Sequence, residues 1–291
     1  MKLATFSRDG ERRIGVVTES GVVDLSRAAP DLPTTMLAFL EAGQPALHAA
    51  TTAAESGTPI PLADVHLEAP IERPPKFLGI GLNYADHVRE SGLEPPAHPT
   101  IFNKQSTCVV GPTDPVHLPR ASSALDYEGE FGFVIGRRCR HVSRDDAADV
   151  IAGYTIVNDV SVRDWQLRIP TWTIGKSFDT HGPIGPWIVT ADEIGDPHQL
   201  RIRTFVNVEL RQDSNTKELI FDCFALVEHI STAFTLEPGD VIATGTPSGV
   251  GIAQKPPALL KAGDVVRIEV EGIGKIENEV IDEPATTAFI D

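Results

Sequence analysis

The sequence predicts an α+β protein in which β-strands outnumber helices. Most of its apolar runs are short, rich in β-branched residues and bounded by turn residues such as Gly, Asp and Ser, whereas helical spacing is confined to a few segments. With 41% apolar and 23% charged residues over 291 positions, the chain is typical of a folded protein with a sizeable core. Collagen-like and disordered classes are excluded by this composition.

The first 72 residues predict a small β-rich domain. Turn residues at Asp9-Gly10 and Glu19-Ser20-Gly21 separate three β-type runs. These runs cover residues 3–6, 14–17 and 22–25. A helix rich in alanine and leucine is expected from residue 35 to about residue 54. Three prolines between residues 70 and 75 indicate a stiff linker, so we expect a second, catalytic domain over residues 73–291.

The predicted second domain contains mostly strands, with a few helices between them. Strands are expected at residues 76–80 and 154–157, and residues 266–280 alternate as a hairpin that turns at 272–274. Helices are expected at residues 85–91, 143–151 and 222–234. The second begins with a capping pattern, Ser143 followed by Asp146, and the third repeats apolar residues at helical spacing.

Charge and cysteine content exclude several function classes. The net charge of −16 disfavours binding to nucleic acid or to anionic membranes, because both are polyanions. The three cysteines are far apart and show no CxxC spacing, so neither a zinc site nor a disulfide framework is indicated. No apolar run has the length of a signal peptide or a membrane span. We therefore expect a soluble cytoplasmic protein with no nucleic-acid or membrane partner.

Three carboxylates are candidates for a metal site. Glu128 and Glu130 are two apart in a strand-like segment, so their side chains point to the same face, and Asp159 ends an otherwise apolar strand. Neighbouring carboxylates repel each other unless they face solvent or surround a hard divalent cation. Spacing alone leaves both interpretations open.

Other candidates for chemistry lie on a helix and on two loops. His87 and Glu90 are three apart, the spacing of a carboxylate-oriented base on one helix face, although chance surface pairs share that spacing. Lys176 lies in a loop rich in glycine and small polar residues and would stabilise an oxyanion, or else be an ordinary surface lysine. The glycine-rich segment 244–251 lacks the GK[ST] ending of a phosphate loop but offers backbone amides to a ligand carboxylate.

Taken together, these segments resemble the fumarylacetoacetate hydrolase family. The resemblance is to its small prokaryotic branch, which includes acylpyruvate hydrolases, oxaloacetate decarboxylases and 2-hydroxyhepta-2,4-diene-1,7-dioate isomerases. It covers residues 76 to about 285 and depends on five segments, at residues 81–87, 128–130, 158–164, 175–180 and 244–251. The first seventy residues resemble only the variable N-terminal domain of that branch.

The resemblance implies a fold, a cofactor and a set of site residues. The fold would be a mixed β-sandwich roll, assembled as a homodimer. Mg²⁺ or Mn²⁺ would be held by Glu128, Glu130 and Asp159. The implied catalytic residues are His87, Glu90 and Lys176, with His87 and Glu90 activating water on a lid. The implied substrate contacts are Arg163, Gln166, Thr246 and Lys104.

The predicted reaction is hydrolytic C–C cleavage of an acylpyruvate or a related 2,4-dioxo acid. A 2-oxo acid can chelate the cation, and the presence of both His87 and Glu90 favours attack by an activated water. Oxaloacetate decarboxylation and dienol isomerisation are the alternatives within the family. A binder that keeps the metal site without catalysis is the alternative of another class, and it would show ligand-induced stabilisation without turnover. Residues 165–172, which include two tryptophans, are expected to line the pocket mouth.

Overall fold

The computed structural model describes residues 1–92 and 94–290. Within them the chain forms nineteen strands: β1 Lys2–Arg8, β2 Glu11–Thr18, β3 Gly21–Asp24, β4 Pro59–Ile60, β5 His66–Leu67, β6 Phe77–Gly81, β7 Thr100–Lys104, β8 Val109–Val110, β9 Val116–Leu118, β10 Leu125–Asp126, β11 Gly129–Ile135, β12 Ile151–Asn158, β13 Ser161–Val162, β14 Gly182–Thr190, β15 Arg201–Val206, β16 Glu209–Asn215, β17 Val241–Ala243, β18 Val265–Val270 and β19 Gly274–Asp282. The α-helices are α1 Leu25–Ala28, α2 Met36–Glu41, α3 Gly43–Ser56, α4 Ala85–Ser91, α5 Arg163–Gln166 and α6 Cys223–Ala233.

The strands form two principal sheets and one two-stranded pair. The large sheet has the order β4-β3-β2-β1-β14-β12-β11-β17-β6-β7, with β5 added beside β1 and β8 beside β14. The second sheet has the order β16-β15-β18-β19-β9, and β10 pairs with β13. Most neighbours are antiparallel, but β17 runs parallel to β6, β19 parallel to β9 and β14 parallel to β8. This mixed arrangement confirms the predicted α+β class and the β-sandwich roll.

The main core lies between the two sheets. Strands β11 and β12 of the large sheet pack against β15 and β18 of the second sheet. Apolar side chains alternate inward along these strands, as expected for sheets packed face to face. Phe131 and Phe133 from β11 share this core with Ile268 from β18 and Ile230 from α6, all fully buried. Within the described residues, no helix is long and apolar enough to cross a membrane.

The N-terminal strands form where the sequence predicts them, but the predicted helix does not. Residues 35–54 form two helices, α2 and α3, and the prediction of one continuous helix is wrong. Helix α2 ends at Glu41 and α3 begins at Gly43, whose φ of 65° lies in the left-handed region that no α-helix continues through. The third predicted strand ends one residue early because Asp24 caps α1, accepting a hydrogen bond from the Ser26 amide at 2.9 Å.

The N-terminal region is continuous with the rest of the large sheet. Strand β1 pairs with β14, where Lys2 lies opposite Val189 and Leu3 opposite Ile188. Side chains of both regions also share one buried cluster, in which Leu3 and Phe39 pack with Ile188. The domain boundary between residues 72 and 73 stays a prediction, and the sheet crosses it.

The remaining local predictions differ from the structure mainly in helix type. Ser143 caps the next segment as predicted, but Arg144–Val150 forms a 3-10 helix, in which hydrogen bonds close over three residues rather than four. Asp222 caps α6 by accepting from the amides of Phe224 and Ala225 at 3.1 and 2.9 Å. The predicted short helix at residues 85–91 and the C-terminal hairpin, β18 with β19, both form.

Candidate active site and metal centre

Three carboxylates meet at the end of the central strand pair. Glu128 immediately precedes β11, Glu130 lies within it, and Asp159 follows β12. Antiparallel pairing places Gly129 opposite Asn158, and the Asp159 amide donates to the Glu128 carbonyl at 2.9 Å. One oxygen atom from each carboxylate lies within 4.8 Å of the other two, and all three side chains are buried. The structure therefore brings together the predicted metal ligands.

Three cationic side chains surround these carboxylates. The Lys176 ammonium donates to Glu128 Oε2 at 2.8 Å and to Asp159 Oδ2 at 2.7 Å. The Lys104 ammonium donates to Asp159 Oδ1 at 2.7 Å, and the Arg163 Nη1 donates to Glu128 Oε1 at 2.5 Å. Lys176 is only 2% exposed, so it is not the ordinary surface lysine that its loop sequence also allowed.

The carboxylates differ in how well their charges are compensated. Burial raises the pKa of Glu128, but Lys176 and Arg163 outweigh burial and lower this pKa to about 2. For Glu130, burial is reinforced by repulsion from Asp159 and Glu128, and its pKa lies well above the ordinary range. Its one described hydrogen bond comes from the Gly245 amide at 2.8 Å. Of the three carboxylates, Glu130 therefore has the least compensated charge, and a bound cation would stabilise its ionised form.

The donor set fits a hard divalent cation. Its three ligands offer only carboxylate oxygens, which suit Mg²⁺ or Mn²⁺ better than zinc. With Asp126, which accepts from Arg163 Nε at 2.8 Å, four carboxylates face three cationic side chains. With all four carboxylates ionised, these seven side chains have a net charge of −1, and a dication would change it to +1. The cluster would then attract an anionic ligand.

His87 and Glu90 lie on α4 at the edge of this cluster. His87 Nδ1 and Glu90 Oε2 are 3.2 Å apart. Because a carboxylate only accepts, Nδ1 carries the proton in neutral His87 and Nε2 is free to accept one. The Gly249 amide donates to both Glu90 oxygens, at 3.1 and 3.2 Å. A positive charge on His87 would lower the pKa of Glu128, which indicates that the two side chains are close.

The remaining predicted site residues contact the cluster in different ways. Gln166 Oε1 accepts from Arg163 Nη1 at 2.9 Å, and Arg163 Nη2 is buried without a partner in the described part of the chain. The Thr246 hydroxyl donates to the Gly129 carbonyl at 3.0 Å and accepts from Gln212 Nε2 at 2.8 Å. Because this hydroxyl is used internally, a substrate contact by the Thr246 side chain stays a prediction.

Three buried polar residues that support the site were not predicted. Asp126 accepts from the Gly251 and Ile252 amides at 2.8 and 2.9 Å as well as from Arg163, which joins the arginine to the glycine-rich loop. Gln212 accepts from the Gly129 amide at 3.0 Å, and Asn83 donates to the Thr244 carbonyl at 2.7 Å. Asp126 lies two residues before Glu128, so its position next to a predicted ligand could have indicated its role. No local sequence pattern predicted the contacts of Gln212 and Asn83, because these contacts join segments over 80 residues apart.

Comparison with known proteins identifies the family. Residues 76–281 match the family model described as fumarylacetoacetate (FAA) hydrolase C-terminal. The chain belongs to the fumarylacetoacetate hydrolase family. The matched segment contains the carboxylate cluster, its cationic partners and α4, and the predicted resemblance is confirmed.

The names of relatives in this family describe several different activities. The mitochondrial oxaloacetate tautomerase fahd2 of Xenopus laevis is 45% identical over 288 residues, which are 97% of this chain and 90% of the relative. A solved putative HpcE protein from Mycobacterium smegmatis has a TM-score of 0.87 at 36% identity and covers 98% of this chain and 100% of its own. A maleylpyruvate hydrolase from Sphingobium sp. SYK-6, solved with manganese (II) and pyruvate, has a TM-score of 0.82 at 33% identity with the same coverage.

Proposed function

We propose that the protein interconverts the keto and enol forms of oxaloacetate or of a closely related 2-oxo diacid, with Mg²⁺ or Mn²⁺ as cofactor. The observation that carries this proposal is His87, which is oriented by Glu90 beside a buried cluster suited to an anionic ligand. Similarity supports it, since the relative from Xenopus laevis named above and a human protein, 44% identical over 90% of this chain, are both named oxaloacetate tautomerases.

The proposed reaction moves one proton and breaks no carbon–carbon bond. A bound Mg²⁺ or Mn²⁺ would supply Lewis acidity, polarising the 2-oxo group of the substrate. His87 Nε2 accepts a proton from C3, and the electrons of that C–H bond form the C2–C3 double bond. The π electrons of the C2–O bond move to the oxygen, which then takes the proton back from the His87 imidazolium and gives the enol, so atoms and charge balance. Glu90 holds the Nδ1 proton of His87 throughout and stabilises the imidazolium.

Lys176 stabilises the negative charge that develops on the substrate oxygen. Its ammonium lies between Glu128 and Asp159 and is held there by two short hydrogen bonds. A preorganised cation at that position requires little rearrangement during the reaction, which is the main source of electrostatic catalysis. Arg163, through its unpartnered Nη2, offers a donor to a substrate carboxylate.

Hydrolytic C–C cleavage of an acylpyruvate is the second candidate. The observation that favours it is again the His87–Glu90 pair, since a base that accepts a proton from carbon can also activate water. The solved maleylpyruvate hydrolase, 33% identical, is a relative with a hydrolase name. Hydrolysis differs from tautomerisation in needing a water molecule placed beside the acyl carbonyl. Decarboxylation of oxaloacetate needs no base of this kind.

One set of assays distinguishes these reactions. The protein, stripped with a chelator and reloaded with Mn²⁺, is given enol oxaloacetate, keto oxaloacetate and acetylpyruvate, with His87→Ala assayed in parallel. Tautomerisation predicts metal-dependent loss of enol absorbance without release of carbon dioxide, and loss of this activity in His87→Ala. Acetylpyruvate cleavage that outpaces tautomerisation would establish the hydrolase instead. Carbon dioxide release that survives in His87→Ala would establish a decarboxylase, and ligand-induced stabilisation without turnover would establish a binder.

A further inference from the structure

Two glycines of strand β6 make room for an aromatic wall beside the active site. We define the aromatic wall as Phe102 and Trp172. Gly79 and Gly81 lie two apart on one face of β6, and a Cβ on either would lie 2.3 Å from a ring atom, of Phe102 at Gly79 and of Trp172 at Gly81. The two rings meet edge to face with their centroids 5.9 Å apart. The strand is therefore shaped to seat both rings.

The aromatic wall contacts Lys176. The Lys176 ammonium lies 5.3 Å from the centroid of the Phe102 ring, and the Lys176 amide donates to the Trp172 carbonyl at 3.2 Å. Phe102 is two residues from Lys104 on β7, so both side chains face the cluster. Trp172 is partly exposed, whereas Phe102 is buried, and the Trp172 ring packs against Gly81 at the end of β6.

The backbone at Trp172 is also unusual for a bulky residue. Its φ of 59° lies in the left-handed region, which is unfavourable for a residue with a Cβ. The structure thus holds this side chain in one place against a local preference. Backbone strain of this kind concentrates at functional sites. Around it, the loop exposes Ile169 and Ile174, at 48 and 50%.

We propose that Trp172 is a specificity-determining residue that limits the length of the substrate chain beyond the 2-oxo acid group. The charged head of the substrate binds at the carboxylate cluster and Lys176, so its far end extends outward, past Phe102 toward Trp172. The indole ring leaves room for a four-carbon diacid and blocks long 4-acyl chains. This inference rests on the proposed function for the orientation of the substrate.

The test compares chain-length preference in Trp172→Ala, Trp172→Leu and a matched control. The control is Ile174→Ala, which removes an exposed apolar side chain from the same loop. We expect kcat/KM for a 2,4-dioxo acid with a six-carbon tail, divided by kcat/KM for oxaloacetate, to rise about tenfold or more in Trp172→Ala. Trp172→Leu should show a smaller rise in the same direction, and Ile174→Ala should leave the ratio unchanged. An unchanged ratio in a folded Trp172→Ala or Trp172→Leu protein would overturn the proposal.

A binding measurement keeps this test independent of turnover. Pyruvate and 2-oxooctanoate share the same head group, and each is added to the Mn²⁺-loaded protein while the melting temperature is followed. Pyruvate should stabilise the wild type and both variants, whereas 2-oxooctanoate should stabilise the variants and leave the wild type unshifted. Wild-type stabilisation by 2-oxooctanoate equal to that by pyruvate would contradict the role of Trp172. Absence of enol turnover with this binding pattern intact would reject the proposed function alone.

Discussion

The carboxylate cluster and helix α4 face the same site but are built in different ways. The side chains of Lys104 and Asp159 in the cluster have no exposed surface, whereas those of His87 and Glu90 on α4 remain 17 and 26% exposed. The three carboxylates come from a strand or its immediate flank, and ion pairs hold Glu128 and Asp159 in place. Helix α4 has seven residues, too few to be stable by itself.

Contacts with the glycine-rich loop hold α4 in place. The Ser248 and Gly249 amides donate to Asp86 and Glu90, and the Ser214 hydroxyl donates to Asp86 at 2.5 Å. The residues proposed to bind the cation and the substrate head therefore lie in the core of the sheet. Residues that would select among tautomerisation, hydrolysis and decarboxylation lie on a small element held by a few hydrogen bonds. On the proposed roles, this difference would allow one scaffold to serve several reactions of 2-oxo acids.

The largest expected effect is on the cluster. Glu130→Gln removes the carboxylate with the least compensated charge while keeping its shape. We expect turnover with every substrate to fall by about a thousandfold or more, because the loss of a ligand forfeits several kcal/mol of electrophilic stabilisation. Mn²⁺ binding, followed by the metal-dependent rise in melting temperature, should weaken in parallel. Full turnover in this variant would remove Glu130 from the metal site.

A large loss of folding stability is expected when Lys104 is replaced. Lys104→Met leaves Asp159 with one of its two cationic partners and removes the donor to the His181 carbonyl. Breaking a buried ion pair on one side costs about 3–5 kcal/mol. Urea unfolding of the metal-free protein measures this loss, and added Mn²⁺ should recover part of it. A change below about 1 kcal/mol would show that the pair contributes little.

Removing the side chain of His87 from α4 should leave metal binding by the carboxylate cluster unchanged. His87→Ala is expected to lower tautomerase turnover about a hundredfold, the low end of the range for general base catalysis, without weakening Mn²⁺ binding. Glu90→Gln should lower turnover less, because the neutral glutamine side chain can still accept a hydrogen bond from His87 Nδ1. Steady-state rates and metal titrations on the same preparations separate the two regions. Loss of Mn²⁺ binding in His87→Ala would mean that α4 and the cluster are not independent.

The raised pKa of Glu130 predicts a pH dependence of the metal-free protein. A carboxyl group whose pKa is higher in the folded state favours folding while it is protonated. Its contribution is fully present below the ordinary pKa of glutamic acid and is lost as the pH rises through the raised value. With a chelator present, wild type should therefore lose stability relative to Glu130→Gln as the pH rises above the ordinary pKa of glutamic acid. Parallel stability profiles for the two proteins would reject this assignment.

The smallest effect is expected on the outer face of α4. Arg89 pairs with Glu218 at 3.3 Å, and the Arg89 side chain is 68% exposed. Exposed ion pairs contribute about 0–1 kcal/mol, so Arg89→Ala should change neither the melting temperature by more than a few degrees nor the turnover. This variant is the control for His87→Ala, two residues away on the same helix. A large loss of turnover would show that the outer face of α4 also affects catalysis.

Local sequence patterns determined the strand content, the capping residues and the segments that carry the site. Ser143 caps its helix as predicted, because capping depends on hydrogen bonds within three residues. Resemblance to a known family added the grouping of Glu128, Glu130 and Asp159, which spacing left open. The convergence of these three carboxylates was therefore predictable, although the reaction was not.

Only the tertiary structure decided which partners each of these residues has. Pairing of β1 with β14, the bridge from Gln212 to Thr246 and the contact of Trp172 with Gly81 all join segments more than thirty residues apart. The sequence carries no local signal for such contacts, since they depend on how the sheets pack. Hydroxyl and ammonium groups that look available in the sequence are already hydrogen-bonded in the fold, because buried polar groups must find partners inside the protein.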